Sequence, residues 1–174
     1  MSSLHGSAPG GPVTRRPADQ LDARILRELD RDPQSTLVAL AQRLGISRNT
    51  VQARITRLEA GGNLLPHSTR VDPRALGYPI AAVVVVTVRQ QQLSTVTDAL
   101  SVLPEVLEVL VLAGSMDLLV HVAATDADDL YRITGCVQGM TGVVRTDTSM
   151  VMRRLVDRRV APLLDRLAAG PAGS

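Results

Sequence analysis

Positions 47 to 57 carry Ser47, Arg48, Asn49, Thr50, Gln52, Ala53, Arg54, Thr56 and Arg57, with Val51 and Ile55 between them and Leu58 next. On a helix turning about 100° per residue, Ile55 and Leu58 fall within about 40° of Val51 and form one apolar side. Asn49, Ala53 and Thr56 then face away, flanked by Gln52 and Arg57. Outward amides beside small residues suit hydrogen bonding to base edges in a wide groove. Asn and Gln can pair bidentately with adenine, Arg with guanine, and Ala or Thr leaves room for a thymine methyl. Arg43, Arg48 and Arg54 sit to the side, where a guanidinium meets phosphate oxygens and adds affinity without reading sequence. The free N–H groups behind Ser47 suit a phosphate as well. A merely solvated helix surface would carry Glu and Lys at several of these positions, whereas here no acid occurs until Glu59.

Such a surface needs a frame, and the preceding residues supply one. Asp19 is placed to cap a helix with Leu21, Ile25 and Leu29 on one face, closed by Asp32-Pro33. Thr36 caps a second helix bearing Leu37, Leu40, Ala41 and Leu44, and Gly45 stands just past its end, where a left-handed backbone is needed. Ser47 caps the third, which ends at Gly61-Gly62. Two helices about a Gly turn, the second with a polar outer face, form the helix-turn-helix arrangement. The same geometry also serves protein contacts, so pattern alone leaves that reading open.

Beyond Tyr78 the apolar period changes. Residues 80–88 are dense in β-branched side chains and predict a buried strand; residues 93–103 return to helical spacing and stop at Pro104. Residues 106–113 and 118–123 predict two strands joined by Gly114-Ser115-Met116-Asp117 as an antiparallel hairpin. Asp126 caps a helix running to Gly139, and residues 143–152 alternate as a last strand. The order is βαββαβ, the ferredoxin-like plan. Pro66, Asp72-Pro73 and Gly77 give residues 64–77 the character of a linker or a short paired strand. Residues 155–169 have helical composition, with Pro162 able to interrupt or restart the helix.

Composition narrows the function classes. Of 174 residues 45% are apolar, yet Tyr78 and Tyr131 are the only aromatic ones, which argues against RNA or single-strand binding by base stacking. All 19 basic residues are Arg; ten against six acids from Arg15 to Arg70 give +4, and nine against eleven from Val71 on give −2, so the front half favours a polyanion. The lone Cys136 forms no internal disulfide and reads as a small buried hydrophobe. No Cys/His cluster has metal-ligand spacing and no cofactor motif occurs, so neither metal nor cofactor is expected. No apolar run spans a bilayer, and residues 1–17 lack a signal-peptide core; a cytoplasmic protein with a disordered N-terminal arm is the expectation.

In the order of its motifs the chain resembles the Lrp/AsnC, or feast/famine, family of regulators. The resemblance rests on Leu21-Asp22-Ala23-Arg24-Ile25-Leu26, on Leu44-Gly45-Ile46-Ser47 continued by Val51, Arg54, Arg57, Leu58 and Glu59, and on Asp72-Pro73, Leu76-Gly77, Gly114 to Asp117 and Gly142-Val143. It implies an α+β protein, with an N-terminal winged or three-helix helix-turn-helix reader of double-stranded DNA and a C-terminal ferredoxin-like domain that dimerises through its sheets. It further implies assembly to higher oligomers such as octamers, and an amino acid or related effector bound between dimers near the hairpin. The segments expected are an arm at 1–18, the DNA-binding domain at 19–63, a linker at 64–79, the effector and oligomerisation domain at 80–154, and a C-terminal helix and tail at 155–174.

Asp117 and Gly114 are candidates for an effector's amino group and backbone contacts, with Ser115, Met116 and Thr134 beside them and Thr146 or Thr148 in the same pocket; turns also use Gly and Asp for backbone reasons alone. Two departures stand out. The family hairpin reads Gly-Asp-aromatic-Asp, so Ser115 and Met116 remove one carboxylate and one ring. Gly61-Gly62-Asn63 replaces a single Gly followed by an apolar residue, which predicts a looser joint. The altered hairpin motivates one alternative, an architectural DNA-binding protein without effector. A second is an enzyme like the tetrapyrrole decarboxylases that share this two-domain plan, for which His121 is the lone candidate, without a dyad around it.

Overall fold

The computed structural model describes residues 16–170, and the expected disordered arm lies mostly outside them. The chain divides into two compact units: one takes the chain up to Thr69 together with the stretch from Arg158 on, the other is Arg70–Asp157.

The first unit is helical. α1 (Gln20–Arg31) begins in a capping box: the Asp22 N–H donates to Asp19 Oδ1 at 3.0 Å and the Asp19 N–H to Asp22 Oδ2 at 2.9 Å. It stops where Pro33 disfavours helical backbone at Asp32. α2 (Leu37–Leu44) is capped by the Thr36 hydroxyl and ended by Gly45 at φ +68°, a conformation that gives the turn into α3 its sharpness and that glycine adopts freely. α3 (Arg48–Ala60) starts where Ser47 Oγ accepts the Thr50 N–H at 3.1 Å. Leu40, Ala41 and Val51 form the buried centre, with Leu29, Leu37, Ile46 and Ile55 packed around it.

Beyond α3 the backbone N–H groups of Asn63 and Leu64 both donate to Leu58 O, and the Asn63 side chain donates to Arg16 O at 3.1 Å. These bonds tie down the joint for which Gly61-Gly62 predicted looseness. Between α3 and the first strand lie two 3-10 turns, His67–Arg70 and Pro73–Leu76, and no strand among the described residues, so this stretch is a connector rather than a paired strand.

The C-terminal helix, α6 (Ala161–Ala169), is shorter than its composition suggested. Pro162 has no N–H to give to a preceding turn and fits only the first turn, so the helix begins there and residues 155–160 stay non-helical. α6 packs on α1: Gln20 Nε2 donates to Ala168 O at 2.7 Å, and Arg27 meets Asp165 at 2.5 Å.

The second unit is β1 (Ile80–Val88), α4 (Leu93–Ser101), β2 (Val106–Val111), β3 (Leu118–Ala124), α5 (Ala127–Gln138) and β4 (Val143–Met150), the βαββαβ order. Its antiparallel sheet runs β2-β3-β1-β4, with Val84 opposite Val120 on one side and Thr148 on the other. The two-residue period of β1 sends Ala82, Val84, Val86 and Val88 into a core with Leu118, Val120 and Val122 of β3, closed by Val96 and Leu100 of α4 and Ile133 and Val137 of α5. Each fully buried aliphatic side chain contributes about 1.5–3 kcal/mol by leaving water. Both helices cover this face; the opposite face presents Val83, Val85, Thr87, Leu119, His121, Arg145 and Asp147 at half-buried or exposed positions.

Gly142 fixes the entry of β4. It sits at φ +104°, and a Cβ there would lie 2.7 Å from Cβ of Gln92. Gly142→Ala is therefore expected to destabilise the sheet unit by about 1–3 kcal/mol, from strained backbone plus the clash. An unchanged urea midpoint would contradict this.

Candidate nucleic-acid interface

α3 has three distinct sides. Val51 and Leu58 are buried and Ile55 packs behind them. Ser47, Arg48, Asn49, Gln52, Ala53 and Thr56 are exposed, with Gln52 Nε2 donating to Thr56 Oγ1 at 3.3 Å; Thr50 is half-buried, its hydroxyl 2.8 Å from that of Ser47. The Asn49, Gln52 and Thr56 side chains thus emerge together on a surface whose first acidic residue is Glu59, in the last turn of the helix.

The third side belongs to Arg54 and Arg57, half-buried and turned toward the start of α1. Arg54 Nη1 bonds Asp19 and lies 3.2 Å from Asp22 Oδ1, while Arg57 Nη2 bonds Asp22 Oδ2 and lies 3.7 Å from Asp19. Asp22 has no solvent exposure and is the buried charged residue of the described core. Its carboxylate is held by one backbone N–H and two guanidiniums, the partners a buried charge requires. Reasoning from sequence missed Asp19 and Asp22 as members of this region. The available signal was the matched spacing, acids three apart at 19 and 22 and arginines three apart at 54 and 57, which lets two helices cross-link at two levels. Arg43 is also engaged, with Glu28 at 3.4 Å, Asp32 at 3.4 Å and the Ser35 hydroxyl. Among the described residues Arg48 makes no ion pair.

The Asp22 N–H, followed by Arg54 and Arg57, holds the Asp19 carboxyl down from 3.8 to about 2. A carboxyl whose folded value lies below its ordinary one stabilises the fold above the ordinary value and loses that contribution as pH falls through the folded value. Asn caps helices as well as Asp does but does not titrate. Asp19→Asn should therefore reduce the steepness with which helical-unit stability falls from pH 3.8 toward 2, read from urea midpoints at each pH. Equal slopes in both proteins would show that Asp19 contributes nothing to the acid transition.

In the sheet unit the hairpin closes with the Leu112 N–H donating to Asp117 O at 2.8 Å. The Asp117 carboxylate reaches across to β1, accepting from the Val88 N–H at 2.8 Å and Gln90 Nε2 at 3.0 Å, which braces the turn. Beside it a recess of about 310 Å³ is lined by Val85, Thr87, Ser115, Met116, Arg145 and Asp147, with Arg145 and Asp147 3.9 Å apart. Ser115 and Met116 thus meet at the recess, and Gly114 and Asp117 hold the turn that carries them. Thr134 lies on α5, on the helix-covered side of the sheet, its hydroxyl donating to Tyr131 O at 2.9 Å; Thr146 and Thr148 pair with Val86 and Val84 on that same side. Cys136 is exposed on α5 rather than buried, because the inward positions there fall to Ile133 and Val137. No group of His, Cys, Asp and Glu among the described residues is placed to hold a metal, and none of the described helices is long and apolar enough to cross a membrane.

A helix-turn-helix unit whose recognition helix exposes Asn49, Gln52 and Thr56, joined to a ferredoxin-like sheet unit, defines a class: two-domain DNA-binding regulators. Two models of known families match the chain, winged helix-turn-helix DNA-binding at residues 19–62 and the Lrp/AsnC ligand binding domain at residues 81–161. The chain is 32% identical to the HTH-type transcriptional regulator AldR of Mycolicibacterium smegmatis over 93% of its own length and 98% of that protein's. It resembles the feast or famine regulatory protein of M. tuberculosis complexed with L-methionine, with 29% identity, a TM-score of 0.71, and coverage of 81% of this chain and 96% of that one. The E. coli AsnC structure shares the fold with a TM-score of 0.75 at 22% identity, covering 84% of this chain and 100% of that one. The chain belongs to the Lrp/AsnC family and is a DNA-binding transcriptional regulator of that type.

Proposed function

We propose that this regulator reads double-stranded DNA with the exposed side of α3. Asn49, Gln52, Ala53 and Thr56 meet base edges in the major groove, and Ser47, Arg48 and Thr50 meet phosphate at the start of the helix. The observation that carries this reading is the emergence of Asn49, Gln52 and Thr56 together from a capped helix, with no acid on it before Glu59. We further propose that the protein acts in the cytoplasm as a homodimer or a higher assembly such as an octamer. Copies would meet through the open sheet face around Val83, Val85 and Leu119, where apolar side chains stand half-buried.

The effector we propose is an amino acid, as in the mycobacterial relative solved with L-methionine. The hairpin recess offers it Met116 and Val85 for an aliphatic side chain, the Ser115 hydroxyl, and opposite charges at Arg145 and Asp147 for a zwitterion. Asp117, already shared between Val88 and Gln90, shapes the recess from behind. A regulatory rather than catalytic role is supported by relatives named as transcriptional regulators, among them AldR of Mycolicibacterium smegmatis; His121 faces Glu108 across the β2–β3 pair at 4.0 Å, a cross-strand contact.

Gln52→Ala is expected to cost about 1–3 kcal/mol at one base pair of the preferred site and little on scrambled duplex, measured by competition binding. Equal losses on both duplexes would remove Gln52 from sequence reading. Titrating L-methionine into the protein during thermal melting should raise the transition with concentration, by about 2.7 kcal/mol at a hundredfold excess over Kd. A flat response to methionine and to the other amino acids would favour the architectural alternative, a DNA-binding protein without effector.

A further inference from the structure

The positive charge on α3 is divided between two flanks of the helix. Relative to Val51, Arg54 and Arg57 lie at about −60° and −120°, and Arg48 and Gln52 at about +60° and +100°. The first flank faces α1 and is saturated by carboxylate: Asp19 and Asp22 together contact both guanidiniums, and Asp22 is wholly buried beneath them. The second flank is open, with Arg48 and Gln52 exposed.

Two consequences follow from this asymmetry. Arg57, the close partner of the buried Asp22 carboxylate, cannot leave for a phosphate without stripping that carboxylate of its main counter-charge, which is far more costly than breaking a surface pair. The clamp also fixes the rotation of α3 about its own axis, because contacts at positions 54 and 57, nearly a full turn apart, leave the helix no freedom to roll against α1. The roll decides which side chains point outward.

We propose that Asp22 is a positioning residue for sequence reading. It withholds Arg54 and Arg57 from the DNA backbone and sets the roll of α3, so that the neutral side chains of Asn49, Gln52 and Thr56 meet the bases and Arg48 supplies the phosphate contact. The proposal rests on α3 being the helix that enters the duplex. Specificity, the ratio of affinities for preferred and scrambled duplex, is the quantity Asp22 protects.

Salt dependence separates the possibilities, since each phosphate neutralised adds about 0.9 to the steepness of log K against log[salt] on duplex DNA. Full-length protein and variants are titrated with preferred and scrambled duplexes over a range of KCl, below each variant's melting transition. Arg48→Gln should lower the slope by about 0.9. Arg54→Gln, which leaves Arg57 on Asp22, should leave the slope unchanged and lower the specificity ratio. Asp22→Asn leaves Arg54 on Asp19 and Arg57 with only its 3.7 Å contact to Asp19, so it releases Arg57 and should steepen the slope by about 0.9, with scrambled duplex bound more tightly and the specificity ratio reduced about tenfold or more.

If Asp22→Asn proves unfolded by circular dichroism, the Arg54→Gln slope decides alone. A drop of about 0.9 there, with the specificity ratio intact, would make Arg54 a phosphate ligand and overturn the proposal. Failure of the underlying reading looks different: Gln52→Ala and Arg48→Gln would then leave both specificity and slope untouched, and the proposal would fall with it.

Discussion

A carboxylate sealed from solvent is tolerated only where donors surround it, and in this protein that requirement joins two helices. Asp22 takes the Asp19 N–H of its own capping box and guanidiniums from Arg54 and Arg57. The first bond sets where α1 begins; the others fix α1 against α3. A residue that caps one helix thus orients another. The exposure of Asn49, Gln52 and Thr56 and the burial of Val51 and Leu58 are two views of that one orientation. Asp19, held at about 2 by the Asp22 N–H and the same two guanidiniums, stays charged well below the usual carboxylate range.

The sheet unit obeys a different constraint, the two-residue period of its strands. With α4 and α5 on one face, β1 alternates between that core and an open face. Val84 and Val86 pack on Val96, Leu100, Ile133 and Val137, while Val85 and Thr87 reach the recess at the hairpin. Asp117 couples the two, since its carboxylate accepts the N–H of Val88, the last core residue of β1. The bulge between Thr87 and Val88 lies beside that bond.

Much of this is legible in the sequence alone. Asp19, Thr36 and Ser47 cap the helices that their positions announced, Gly45 takes the left-handed backbone of the turn, and β1 spans the β-branched run 80–88. Local rules decide such features, because a cap or a turn involves atoms a few residues apart. The destinations of long side chains were less legible. A helical wheel gives Arg54 and Arg57 an angle but not a partner, and a flexible guanidinium about 6 Å from its backbone can be claimed by a helix more than thirty residues earlier. Cys136 misled for a related reason: Cys is often buried, but on a helix the neighbours decide, and Ile133 and Val137 had already taken the inner face of α5. The effector candidates split likewise, with Ser115 and Met116 at the recess and Thr134 on the far side of the sheet, a distinction that only the strand register supplies.

The return of α6 to α1 gives the DNA-reading unit a peculiar history during synthesis. Its first three helices leave the ribosome early, yet the bonds from Gln20 to Ala168 and from Arg27 to Asp165 close loops of 148 and 138 residues. A nascent chain therefore holds the helical unit unfinished until residues 165–168 emerge, after the entire sheet unit has been made. Removal of residues 161–169 would leave the first three helices without that brace.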